Sequence, residues 1–111
     1  KIIIEVPSGT DLLLNIENLK EFRDFSLWSE HLILHSSKSL KKILNLSGCN
    51  KVKIEFYQRY NFNNHLNWFL NKKPGGQNKY LNFFDKKFNE FYCKYLEKKG
   101  LSDTLIGYAS K

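Results

Sequence analysis

The clearest hydrophobic pattern in this chain is a row of aromatic residues that recur every three or four positions, the spacing of one face of an α-helix. We call this set the aromatic ridge: Phe84, Phe88, Phe91 and Tyr95. Two lysines precede Gly100, and glycine tolerates the left-handed conformation that ends a helix. The pattern predicts a helix that ends at Gly100 and buries the aromatic ridge against a sheet. Ser102 is a suitable N-cap for a second helix, which would include Leu105.

Alternation of apolar and polar residues predicts strands in the preceding part of the chain. The cleanest alternation places Val52, Ile54 and Phe56 on one side of a strand. Residues 66–70 alternate in the same way and are predicted to form an antiparallel partner of that strand. At the start of the chain, the β-branched residues 1–6 and the apolar residues 12–16 flank a turn cluster, which predicts a hairpin.

Two segments fit more than one structure. Residues 32–34 form a short apolar run that predicts a further strand, whereas Phe22, Phe25 and Trp28 before it also suit one side of a helical turn. Residues 39–46 suit either a short helix capped by Ser39 or a strand that enters the turn at residues 47–48. We favour the strand.

Together these elements predict an α+β fold, with a twisted antiparallel sheet followed by C-terminal helices. The 111 residues are expected to form a single domain. Residues 1–71 would be mainly antiparallel strands, 72–80 a loop that contains proline and glycine, and 81–111 two helices, the second of them truncated. No apolar run approaches the roughly 20 residues of a membrane-spanning helix. Cys49 and Cys93 are too few for a disulfide framework, and we expect free thiols.

The formal charge of +7 lies entirely in the second part of the chain, since residues 51–111 carry 12 basic and 5 acidic side chains. Such an excess favours a polyanionic partner, either RNA or an acidic protein surface. Aromatic residues interleaved with cations in the segment 51–60 are typical of RNA-binding sheets, although a solvated sheet face with Phe56 buried explains the same pattern and is favoured. The candidate polyanion-binding residues are Lys51, Lys53, Arg59, Lys72, Lys73 and Lys79.

Patterns for catalysis and for metal binding are weak. His31 and His35 would share a face only on a helix, and the residues between them favour a strand, so we predict no metal site. The segment 72–79 offers glycine amides and lysines to a phosphate, but it lacks the Gly-Lys-Ser/Thr ending of a nucleotide-binding loop. Neither a nucleophile motif nor paired carboxylates with supporting residues can be recognised. We therefore predict a protein that is not an enzyme and needs no cofactor.

The C-terminal part resembles the mitochondrial acidic matrix protein family, also called the mitochondrial glycoprotein family, whose members form doughnut-shaped trimers. The resemblance is carried by Phe84-Asp85, Phe88, Phe91, Tyr95-Leu96-Glu97, Gly100-Leu101, Leu105-Ile106 and Tyr108. It implies that Phe84, Phe88, Phe91, Tyr95, Leu96, Gly100 and Leu105 belong to a helix-packing motif. It also implies a mitochondrial matrix location and a homotrimer or a larger complex.

Members of that family are typically acidic, whereas this chain is basic, so the resemblance suggests a divergent member with an acidic partner. The leading hypothesis is a non-catalytic scaffold in a matrix assembly linked to mitochondrial translation or oxidative phosphorylation. The alternative is an RNA-binding module that contacts phosphates through the basic second half of the chain.

Overall fold

The computed structural model describes residues 1–28, 31 and 33–111. In chain order the elements are β1 (Ile2–Pro7), a 3-10 helix (Leu13–Asn15), α1 (Lys20–Ser26), α2 (Ser37–Leu46), β2 (Asn50–Tyr57), α3 (Phe62–Asn71), α4 (Lys86–Lys99) and β3 (Thr104–Ser110). Three strands of this described part form an antiparallel sheet in the order β1-β3-β2. The predicted α+β class is confirmed. The predicted order of sheet first and helices last is wrong, because the central strand is the last element of the chain.

The sheet buries one face against α2. Gly107 of β3 pairs with Ile4 of β1 on one side and with Ile54 of β2 on the other. A methyl group on Gly107 would lie 3.1 Å from Leu44 Cδ1, so glycine allows α2 to approach the sheet closely. The buried members of this core are Leu40, Leu44, Cys49, Leu105 and Ala109.

The second C-terminal helix, predicted from the family resemblance and from Ser102, is wrong. Residues 104–110 form β3, in which Leu105 and Ala109 point to the core in strict alternation. The Ser102 hydroxyl does not cap a helix but donates a hydrogen bond of 2.9 Å to the Thr104 carbonyl. A short β-rich segment between two edge strands has more hydrogen bonds to gain in the sheet than in an isolated helix.

The predicted N-terminal hairpin is also wrong. β1 is a strand as expected, but it pairs with β3, and residues 13–15 form a 3-10 helix rather than a second strand. The Leu13 amide donates a 2.8 Å hydrogen bond to Asp11 Oδ1, which starts the turn. Of the predicted strand at 32–34, Leu32 lies outside the described residues, and Ile33 and Leu34 belong to no strand. The alternative of a helical turn before them is confirmed for Phe22 and Phe25, which belong to α1, but α1 ends at Ser26, before Trp28.

Residues 39–46 belong to α2, so the favoured strand is wrong and the helical alternative is correct. The N-cap is Ser36 rather than Ser39. Ser36 and Ser39 form a reciprocal capping box, with Ser39 N to Ser36 Oγ at 3.1 Å and Ser36 N to Ser39 Oγ at 2.9 Å. This arrangement satisfies two backbone donors at the start of the helix.

The predicted strand at 66–70 is wrong, because residues 62–71 form α3. The buried face of α3 is largely polar and includes Asn63, Asn64 and Asn67. Since a polar buried face does not register as a hydrophobic stripe, the accidental alternation of Leu66, Trp68 and Leu70 dominated the pattern. The β2 strand and the loop over 72–80 are confirmed.

The helix α4 is confirmed, and it ends at Gly100 with φ 70° as predicted. Its orientation is not as predicted, because the aromatic ridge is turned away from the sheet. The buried residues of α4 are Asn89 and Leu96. Leu96 lies one helical position beyond Tyr95, so the helix is rotated by about 100° from the expected orientation. Gly100 lies against the Phe56 ring, and a methyl group on Gly100 would be 3.3 Å from Phe56 Cζ.

Candidate binding surface and cavity

The aromatic ridge lies on the solvent side of α4. The exposed fractions of Phe88, Phe91 and Tyr95 are 38%, 67% and 48%, while Phe84 is half-buried. The first turn of the ridge is held in place by α3, since the Phe62 ring contacts Phe84 and Phe88 edge-on at centroid distances of 4.8 and 5.2 Å. The ridge is therefore a fixed apolar surface that begins on α3 and continues along the exposed length of α4.

Four lysines border the ridge at helical spacing. We call them the lysine border: Lys87, Lys94, Lys98 and Lys99. Within the described part of the chain, none of them forms a salt bridge with a carboxylate. The Lys99 ammonium lies 5.7 Å from the centroid of the Tyr95 ring, which is within the range of a cation–π contact. The exposed face of α4 is thus both aromatic and strongly positive.

The cations predicted on β2 lie in a different environment. Lys53 pairs with Glu55 at 2.5 Å, and Arg59 pairs with Glu5 of β1. Lys51 is exposed and adopts a φ of 49° at the irregular start of β2. The outer face of the sheet therefore carries carboxylates beside most of its cations, and it offers less net charge to a polyanion than the lysine border does.

The loop lysines are placed by Asn67 of α3. The Asn67 side-chain amide donates to the carbonyls of Lys73 and Pro74 at 2.8 and 3.2 Å, and its Oδ1 lies 3.4 Å from Lys79 Nζ. Lys72 ends α3 in the left-handed conformation with φ 57°. The structure therefore brings the three predicted loop lysines together on a loop that is fastened to α3.

A network of polar side chains joins α3, α4 and the end of the sheet where β2 ends and β3 begins. The Gln58 side-chain nitrogen Nε2 donates to Asp103 Oδ2 at 2.9 Å, and the Asp103 backbone N–H donates to Gln58 Oε1 at 2.9 Å. Gln58 Nε2 also lies 3.3 Å from His65 Nε2, and His65 Nδ1 lies 2.8 Å from the Tyr92 hydroxyl. Burial lowers the pKa of His65 to about 4, so its imidazole is neutral at pH 7.

Beside this network lies a cavity of about 730 Å³ between the 3-10 helix, α1, α3 and the ends of β1 and β3. Its apolar walls include Leu13, Phe22, Phe25 and Trp68, with the Trp68 ring 5.0 Å from Phe22 in an edge-on contact. Polar groups at the wall come from Ser8, Asp11, Asn64, His65 and Asp103. A mainly apolar cavity with a few convergent polar groups is the usual form of a small-molecule site.

Asp11 is the most perturbed of these groups. Its side chain is 6% exposed, and burial raises its pKa from 3.8 to about 7, with a further upward contribution from the charge of Asp103. The backbone holds Asp11 beside Asp103, since Ser8 N donates to the Asp103 carbonyl at 2.8 Å and Leu12 N to the Leu101 carbonyl at 3.0 Å. A carboxyl group that is half protonated near neutral pH is uncommon outside functional sites.

Hydrophobic patterning gave no sign of Asp11, Asn64 or Asp103. Each lies in a turn or within a polar run, where these residue types are expected at the surface. Only the dense polar run at the start of α3 could have pointed to a buried network. No three His, Cys, Asp or Glu side chains among residues 1–28, 31 and 33–111 are placed to hold a metal ion.

Comparisons with known proteins returned no match to any family model, curated protein or solved structure. Among the helices of the described part, none is both long enough and apolar enough to cross a membrane. Cys49 is buried and Cys93 half-buried, and both are free thiols, as expected.

Proposed function

We propose that this protein is a non-catalytic binding module, in which the aromatic ridge and the lysine border contact an acidic, amphipathic segment of a protein partner. The observation that supports the proposal is the exposure of Phe88, Phe91 and Tyr95 on one helix face, bordered by four lysines. Aromatic residues dominate the centres of protein interfaces, and charged residues occupy their rims. An acidic partner would match the positive border in charge.

The packing of the rings favours a protein partner over RNA. Base stacking needs ring faces that are free along the strand. Here Lys99 lies over the Tyr95 ring, and Phe84 and Phe88 are engaged by Phe62. An apolar peptide side chain can pack against such edges and tips, whereas a row of bases would find few open faces.

The family resemblance extends the proposal to a scaffold of the mitochondrial matrix that works as a trimer or within a larger complex. This extension depends on the sequence motif alone and stays a prediction. Size-exclusion chromatography with light scattering tests the trimer directly, and a strict monomer at micromolar concentration would remove it.

A binding assay with defined probes tests the proposed surface. The probes are a helical peptide with alternating Leu/Phe and Glu faces, a variant with every Glu replaced by Gln, and single-stranded poly(U) RNA. The double variant Phe91→Ala/Tyr95→Ala should weaken binding of the acidic peptide about tenfold or more. Tyr57→Ala is the matched control, since Tyr57 is an equally exposed ring on β2.

A second pair of variants separates the two basic regions. Replacing Lys87, Lys94 and Lys98 with Gln should weaken binding and reduce its salt dependence, whereas replacing Lys72, Lys73 and Lys79 should change little. Equal affinity for the Glu and Gln peptides, or no effect of the ridge variant, would refute the proposal. Ridge-dependent binding of poly(U) alone would establish the RNA alternative.

A further inference from the structure

The cavity described above contains two buried polar side chains with unused hydrogen-bonding capacity. Asp11 accepts a hydrogen bond from Leu13 N through Oδ1, but no described residue donates to its Oδ2. Asn64 is 4% exposed, and its side-chain amide has no partner among the described residues, since only its backbone amide is bonded, to Asn61 Oδ1. Both side chains line the cavity. Since no fully enclosed side-chain nitrogen or oxygen among the described residues lacks a partner, these unpartnered atoms are open to the cavity.

Asp103 and Ser8, which also line the cavity, are already engaged. Asp103 accepts four hydrogen bonds, from the amides of Arg59 and Tyr60, the Gln58 side chain and the Thr104 hydroxyl. The Ser8 hydroxyl lies 3.0 Å from that of Thr10. Asp11 and Asn64, both mostly buried, therefore keep hydrogen-bonding capacity for an incoming molecule.

The negative charge of the cavity wall favours a cationic molecule. Three carboxyl side chains line the cavity, those of Glu5, Asp11 and Asp103, and the Arg59 cation is paired with Glu5. Among the described residues, the titratable groups near Asp11 are Glu5, His31, Arg59, Tyr60, His65, Tyr92 and Asp103. An anion would meet carboxylates there, and a neutral apolar molecule would leave Asp11 Oδ2 without a donor.

The aromatic walls add attraction for a cation. Phe22, Phe25 and Trp68 line the cavity and pack against one another, with the Phe25 and Trp68 ring centroids 5.2 Å apart, so a cation bound there lies beside aromatic rings as well as a carboxylate. We propose that this cavity binds an organic cation with an apolar or aromatic body, such as a protonated amine, whose N–H groups donate to Asp11 and Asn64. This site is separate from the aromatic ridge and independent of the function proposed for it.

Three matched probes test the assignment: 2-phenylethylammonium, 2-phenylethanol and phenylacetate, which are similar in size and differ in charge. Calorimetry at about pH 8, where Asp11 is mostly ionised, should show the ammonium binding tightest and phenylacetate weakest. The affinity for the ammonium should fall as the pH is lowered to about 5, because protonation removes the negative charge of Asp11.

Two variants locate the interaction. Asp11→Asn should weaken ammonium binding about tenfold to a hundredfold at about pH 8 and remove its pH dependence, while leaving 2-phenylethanol almost unaffected. Asp24→Asn is the matched control, since Asp24 is an exposed aspartate on α1 that pairs with Lys20. Circular dichroism of each variant checks that it is folded. Equal affinity for the three probes, unchanged ammonium binding by Asp11→Asn, or no saturable ammonium binding at millimolar concentration would overturn the proposal.

Discussion

Replacement of Asp11 with Asn should make the protein more stable at neutral and alkaline pH without changing its fold. The amide oxygen of Asn can still accept the hydrogen bond from Leu13 N, and the residue volume is nearly unchanged. What the substitution removes is a carboxyl group that loses solvation when it ionises inside the protein.

The size of the effect follows from the difference in proton binding between the folded and unfolded states. The pKa of Asp11 rises from 3.8 to about 7 on folding, so between these values the folded state holds a proton that the unfolded state has released. The free energy of unfolding therefore falls with rising pH over this window. At about 1.4 kcal/mol per pH unit, three units give an effect of about 4 kcal/mol.

His65 acts in the opposite direction over much of the same range. Its pKa falls from 6.5 to about 4 on folding, so its contribution to stability is present above pH 6.5 and is lost as the pH falls through about 4. The two groups nearly cancel between pH 4 and 6.5, and the wild-type protein should show a flat stability profile there.

Urea unfolding followed by far-ultraviolet circular dichroism at several pH values measures these effects. The difference in unfolding free energy between Asp11→Asn and wild type should be small at about pH 3.5 and grow to about 4 kcal/mol at about pH 8. Asp24→Asn should differ from wild type by a pH-independent and small amount, since Asp24 is exposed. A constant difference for Asp11→Asn across the range would refute the argument.

Two further predictions concern the same region. In His65→Gln the opposing contribution of His65 is gone, so the free energy of unfolding should rise by about 3 kcal/mol as the pH is lowered from about 7 to about 4, where wild type stays nearly flat, measured by the same urea series. An unchanged profile would mean that His65 is not buried as a neutral imidazole. Gly76→Ala should lower the free energy of unfolding by about 1–3 kcal/mol, because the added methyl group would lie 2.3 Å from Asn67 Cβ and 2.7 Å from the Asn63 carbonyl oxygen. Thermal unfolding measures this effect, with the exposed Gln77→Ala as the control. Equal melting temperatures of the two variants would show that the loop is not fastened to α3.

The elements that sequence patterns predicted correctly are those whose buried residues are apolar and whose ends carry distinct signals. β2 alternates in a strict period of two, and α4 combines a helical repeat with terminal lysines and Gly100. The strand β3 was missed because its pairing partners lie about 50 and 100 residues away in the sequence. Local patterns contain no information about such long-range hydrogen bonds.

The candidate site could not be predicted from sequence patterns, for a related reason. α3 buries asparagines, and the cavity next to it depends on polar groups from four separate segments. Burial of an asparagine becomes favourable only when partners satisfy its side chain. Asn89 is an example, since its Oδ1 accepts a hydrogen bond from the Phe62 amide at 2.8 Å and its Nδ2 donates to the Phe84 and Asp85 carbonyls. Composition marks these residues as surface residues, and only the fold shows otherwise.

The orientation of α4 shows why a correct periodicity can still assign the wrong face. A row of apolar residues is equally suited to a domain core and to an interface, since both remove it from water. In α4 the buried face is the one that carries Asn89 and Leu96. The hydrogen bonds of Asn89 hold the start of the helix against α3, and Leu96 is buried nearer its end. Each exposed Phe forgoes roughly 1.5–3 kcal/mol of burial. Under the proposed function, a partner that covers the ridge would recover this burial.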